Sequence, residues 1–142
     1  MRVVLDTNVV VAALRSNAGA SRQLLLFALR KRFELLLSVP LMLEYEAVLK
    51  RPEHLRAAGA TRANIDAILA ALAAVGVPVT PSFSWRPELT DPADEMVLEA
   101  AVNGLADVIV TFNVAHFRLA APRFGIRVMR PPEALSMGKF EP

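Results

Sequence analysis

Cysteine is absent from this 142-residue chain, which excludes disulfides, thiolate metal sites and a cysteine nucleophile. No apolar stretch reaches the roughly 18 residues that a membrane-spanning helix needs. The longest, AILAALAAVGVPV from Ala67, is cut by Gly76 and Pro78. No secretory leader is expected, because Asp6 interrupts the N-terminal apolar run after three residues. Charge of one sign is lacking too: 16 basic against 14 acidic residues leave +2, which permits contact with nucleic acid without arguing for it. Repeats, low-complexity tracts and linkers are missing. What is present is a 54% hydrophobic chain, long enough for one domain with a real core, expected to be soluble and cytoplasmic with no membrane contact.

Apolar runs alternate between two periods. Residues 2–6 read as a buried strand followed by the helix NVVVAALR. SNAGAS is a loop, with Ser21 as the expected cap of the helix RQLLLFALRKR. FELLLS (33–38) is a second strand, and Pro40 opens a helix that Pro52 ends. PEHLRAAG closes on Gly59, with His54 expected at its surface. Thr61 caps a helix whose Ile65, Ile68, Leu69, Leu72 and Val75 form an apolar stripe. VPVT is a short third strand and PSFSWRPELT a loop. Asp91 caps the helix after it, DVIVTF and IRVMR are the fourth and fifth strands, and PPEALS is a closing helix. Strands alternating with helices imply an α/β domain, three layers deep (α/β/α), around a parallel sheet of about five short strands. The expected boundaries are 1–142 as one domain, with 131–142 as its C-terminal helix and tail.

In open parallel sheets, sites form beyond the carboxyl ends of the strands. Asp6 ends the first strand there, Glu44 lies one turn into the helix after the second, Asp94 and Glu95 open the helix after the third, and Thr111 and Asn113 end the fourth. Glu44 shares a helix side with Leu41 and Val48 and is expected to face inward. Asp91, three residues before Asp94, is assigned to capping, and Asp107 to a surface turn. Carboxylates gathered at one rim repel and take up protons unless a cation sits among them. Mg²⁺ or Mn²⁺ suits such hard oxygen donors and activates water toward phosphate esters. The constellation therefore suits phosphodiester hydrolysis.

Three stretches carry a family likeness. VVLDTNVVVAAL resembles the opening of a PIN-domain ribonuclease, and LSVPLMLEYEAVLKRP its second acidic motif, with Glu44 as the acid. DPADEMVLEAAVNGLADVIVTFNVAHF resembles the third and fourth motifs. The arrangement is most similar to the PIN proteins classed as toxins of bacterial toxin–antitoxin systems, relatives of the VapC-type toxins. The resemblance implies a PIN-like fold and a Mg²⁺- or Mn²⁺-dependent endoribonuclease acting on single-stranded or loop RNA, leaving a 5′-phosphate and a 3′-hydroxyl. It further implies a homodimer and a small antitoxin protein as partner. Carried over by position, Asp6 and Glu44 would be catalytic, metal-facing acids. Counted back from Thr111, the third acid of the family falls on Glu95, while its neighbour Asp94 belongs to the same acidic helix start, and both stay open. Thr7, Asn8, Thr111 and Asn113 would hold carboxylates or waters in place, and Arg118 would meet a substrate phosphate. The chain departs from the family pattern at Asn113, where many relatives have Asp, and at His116, where those with Asn often carry another Asp. Both changes weaken a second metal position.

Two other readings compete. A catalytically degenerate PIN module would bind RNA or a protein partner without cutting, as Asn113 and His116 allow. A haloacid-dehalogenase-like phosphatase needs a second Asp two residues after the first, where this chain has Asn8. Of the remaining groups, the basic cluster Arg30–Arg32 and the pair Lys50/Arg51 are assigned to helix ends, and Phe83 and Trp85 to core cover or base stacking. The bland side of the Ala-rich helix (Ala67, Ala70, Ala71, Ala74) is a candidate dimer or antitoxin surface.

Overall fold

The computed structural model describes residues 1–80 and 91–137. Five parallel strands, β1 (Arg2–Leu5), β2 (Glu34–Leu37), β3 (Val77–Pro78), β4 (Val108–Val110) and β5 (Arg127–Met129), pair in the order β3-β2-β1-β4-β5. The register sets Val3 opposite both Leu35 and Val108, and Val110 opposite Met129. The central strands are buried almost throughout: Val3, Val4, Leu5, Leu35, Leu36 and Ile109 are all at or below 1% exposure. Continuous apolar strands of this kind require helices on both faces, and the three-layer PIN-like fold provides them.

Around the sheet lie α1 (Thr7–Arg15), α2 (Ala20–Leu29), α3 (Val39–Leu49), α4 (Pro52–Ala58), α5 (Arg62–Val75), α6 (Pro92–Asn103), α7 (Val114–Phe117) and α8 (Pro131–Ser136). A 3₁₀ turn at Ala121–Phe124, with no counterpart in the sequence reading, precedes β5. Local chemistry sets many of the boundaries. Ser38 Oγ accepts from the Leu41 amide to start α3. Thr61 and Asn64 form a reciprocal capping box at α5. Asp91 accepts from the Ala93 amide at α6, with Pro92 in the first turn. Gly59 ends α4 at φ 63°, a left-handed conformation that glycine adopts without strain.

Three local expectations are corrected. Ser21 is not a cap: Gly19 holds that position, and Ser21 lies inside α2, buried. The same helix stops at Leu29 instead of running through Arg32, because Arg30 leaves helical geometry and Lys31 turns to φ 56°. His54 is half-buried with Nδ1 shielded, since α4 packs against α1 and α3. The loop at 81–90, with Phe83 and Trp85, lies outside the described residues. Among the described residues no single helix is long and apolar enough to cross a membrane, and the one helix pair that passes by composition, α4 with α5, is bent by 84°.

The sheet order places a topological switch between β1 and β4, from which the chain winds outward in both directions. In open α/β sheets the crevice for a ligand opens beyond the carboxyl ends of the strands flanking such a switch. The residues that follow β1 and β4 are Asp6 and Thr111.

Candidate active site

Asp6 sits between β1 and α1, its amide donating to the Val110 carbonyl at 2.9 Å and its own carbonyl accepting from the Val9 amide at 2.9 Å. Its side chain does not cap α1. It accepts instead from Thr111 Oγ1 at 2.7 Å and from the Thr7 amide. Thr111 is fully buried, and the same oxygen accepts from the Asn113 amide at 2.9 Å. The Thr111 amide in turn donates to the Met129 carbonyl at 2.9 Å. β1, β4 and β5 are thus stitched together at their carboxyl ends around one carboxylate.

Asp94 enters the same region from the first turn of α6. It is buried at 7% exposure, and its Oδ2 lies 2.8 Å from Nδ1 of His116, a half-exposed ring on α7. Burial pushes the Asp6 carboxyl above the ordinary carboxylate range and the neighbouring Asp94 charge pushes it further, against the Thr111 and Thr7 hydrogen bonds and the His116 ring. Asp94 is raised for the same leading reason, burial, opposed by its contact with His116. Two acids that resist ionisation stand at the switch point of the sheet.

The adjacent residues Asp94 and Glu95 part company here. Asp94 lies on the buried stripe of α6 with Val97, Leu98 and Ala101, while Glu95 is half-buried. Glu44 is half-buried on α3, makes no hydrogen bond or ion pair among the described residues, and is not among the charges that displace Asp6 or Asp94. The fully buried residue beside it is Tyr45, whose hydroxyl donates to the Leu5 carbonyl, immediately before Asp6. Burial drives that phenol far above its usual value, and the Asp6 charge adds to the effect. Sequence reasoning missed Tyr45, although its place on the stripe Leu41, Tyr45, Val48 was a legible signal. Asn8 is half-buried and its Oδ1 takes the Phe112 amide at 3.4 Å, Asn113 is exposed, and Arg118 is exposed just past α7.

Among the described residues, no three His, Asp or Glu side chains form a ready-made metal cage. Mg²⁺ does not need one, since it keeps several waters and binds through one or two carboxylates. Two buried carboxylates lifted by desolvation, Asp6 further by the Asp94 charge and Asp94 by the Asp91 charge, are a donor set that gains from a hard dication, so the residues fit the ion. An apolar hollow beyond β2 and β3, lined by Leu37, Val39, Met42, Leu43, Ala73 and Pro78, contains no acid or base and offers no such chemistry.

Fold and site together define an open parallel α/β protein built around a carboxylate crevice. The family model for the PIN domain matches residues 2–115, and the chain belongs to that family. PIN domains are generally nucleases, and PIN nucleases generally use divalent metals. This assignment sets aside the phosphatase reading. No curated protein and no solved structure matches the chain.

Proposed function

We propose that the protein is an endoribonuclease dependent on Mg²⁺ or Mn²⁺, formed by residues 1–142 as one domain and acting on RNA in the cytoplasm. The single observation that carries this reading is the buried carboxylate pair, Asp6 and Asp94, at the switch point of the sheet. Asp6, Asp94 and Glu44 would hold the ion, with Glu95 flanking Asp94. When bound, the ion supplies a water of lowered pKa and neutralises charge on a phosphate oxygen. Thr111 keeps the Asp6 carboxylate in one orientation through its 2.7 Å hydrogen bond, and Thr7 adds a backbone donor. Asn8 and Asn113 fix the neighbouring turn, while exposed Arg118 is available to a phosphate of the substrate strand.

The toxin role, with an antitoxin and a second copy of the chain as partners, draws support from two exposed apolar surfaces. Ala67, Ala70, Ala71 and Ala74 on α5 face solvent, and Val39 and Leu43 on α3 are 73% and 59% exposed. Sedimentation at micromolar concentration tests self-association. A short adjacent gene encoding a DNA-binding protein would support the antitoxin.

A specific feature favours the second reading, an RNA-binding module that does not cut: His116 occupies Asp94 Oδ2, and Asn113 brings no charge. The deciding experiment incubates the purified protein with single-stranded RNA and Mg²⁺ or Mn²⁺. Cleavage that is abolished by Asp6→Asn supports the nuclease. RNA left intact by the unsubstituted protein under both metals supports the binding module, and equal cleavage by both proteins marks a contaminant.

A further inference from the structure

Building on the nuclease reading, we propose that the cleft between the α1–α2 junction and the start of α8 is a subsite for one unstacked nucleobase of single-stranded RNA, stacked on Phe112. The cleft encloses about 250 Å³, and its walls include Phe112, Pro131, Pro132, Ser16, Gly19 and Ser21. That is below the roughly 300–1,000 Å³ of sites for drug-sized ligands, and suits a single planar ring system.

The cleft adjoins the acid pair through the backbone. Thr111 places its hydroxyl on Asp6, and the next residue is Phe112. Past the end of β4, Thr111 serves the carboxylate while Phe112 lines the cleft. The Phe112 backbone is held on both sides: its amide donates to Asn8 Oδ1 at 3.4 Å, and its carbonyl accepts from Arg130 Nη1 at 2.8 Å. An aromatic ring 38% exposed on a backbone pinned in this way is a preorganised stacking platform. Ala12, also in the cleft wall, lies six residues beyond Asp6 along α1, about 9 Å at the helical rise. A base there would adjoin the nucleotide whose phosphate meets the acids.

The cleft wall also carries a polar group. Ser21 lines the cleft, and no hydrogen bond among the described residues occupies its hydroxyl, which is left to solvent or to a bound ligand. Beside it, α2 starts behind Gly19, which brings no side chain to its first-turn amides. The edge of a base offers both donors and acceptors to this wall, and a serine hydroxyl can answer either. Stacking on a face common to all bases, with an ambivalent hydroxyl at the edge, makes the subsite tolerant of sequence.

The test uses full-length protein carrying Asp6→Asn, so that bound RNA survives, with a short oligouridylate containing 4-thiouridine as probe. Ultraviolet cross-linking and peptide mapping should place the cross-link on Phe112 or on the Pro131–Pro132 segment. Adding Phe112→Leu, which keeps the apolar volume without a ring, should weaken binding about 10-fold or more, and Phe112→Tyr should keep it. Thermal unfolding of each variant checks that the fold is intact. Cross-links elsewhere, or equal affinity in the Leu variant, overturn the subsite and leave the nuclease reading standing. Failure of every protein to bind the probe overturns RNA as the substrate, and the subsite with it.

Discussion

Thr111 Oγ1 donates to Asp6 Oδ2 at 2.7 Å across 105 residues of chain. The bond joins the ends of two adjacent strands and opposes the upward pull of burial on Asp6. Thr111→Val keeps the shape and removes the donor, so the Asp6 carboxyl should rise further and the Asn113 amide lose its acceptor. Divalent-ion affinity should fall about 10- to 100-fold, with Thr111→Ser close to the unsubstituted protein. Calorimetric titration with Mn²⁺ checks this.

Asp6 should cost stability at neutral pH. Its folded pKa lies above the ordinary 3.8, so between those two values the native state holds more proton than the unfolded chain, and stability falls as pH rises through the window. Below about pH 3.8 both states are protonated and the penalty disappears. Asp6→Asn should therefore raise Tm at pH 7, and the advantage should vanish in acid. Added Mg²⁺ should raise Tm of the unsubstituted protein and not that of the variant. Thermal scans across pH, with and without the ion, read both effects.

Glu44 separates folding from function. It is half-buried without a polar partner among the described residues, so Glu44→Gln should change stability by no more than about 0.5 kcal/mol. RNA cleavage with Mg²⁺ should nevertheless drop at least about tenfold. Unchanged turnover would remove Glu44 from the site.

Tyr45 should matter for the opposite reason. Its fully buried hydroxyl donates to the Leu5 carbonyl at the end of β1. Tyr45→Phe keeps the ring and deletes that donor, which should cost about 1 kcal/mol. In urea unfolding the midpoint should fall with the slope unchanged.

Much of this architecture was legible in the residues themselves. The five strands are short apolar runs, and the caps at Thr61 and Asp91 act through local hydrogen bonds that the sequence states directly. The errors were also local. At Ser21 a good capping residue lost its place to Gly19, because the Ser21 side chain is drawn into the packed face of α2. On α3 the stripe Leu41–Val48 faces inward, with Tyr45 filling the buried position between them and Glu44 half-buried beside it.

Asp94 and Glu95 show where a linear reading stops. Both stand in the first turn of one helix, and the register counted back from Thr111 falls on Glu95 while leaving Asp94 open. The spacing of Asp94 with Val97, Leu98 and Ala101 already marked one apolar stripe, but only the packed helix reveals that this stripe is buried and that His116 meets Asp94 there.

By itself, then, the chain determined its strands, most helix ends, the sheet's parallel sense and the acids available, because hydrophobic periodicity and capping act over a few residues. Tertiary structure alone decided which carboxylates share a desolvated crevice and what restrains them. Those facts depend on contacts between residues 22 and 105 positions apart, and no local pattern encodes them.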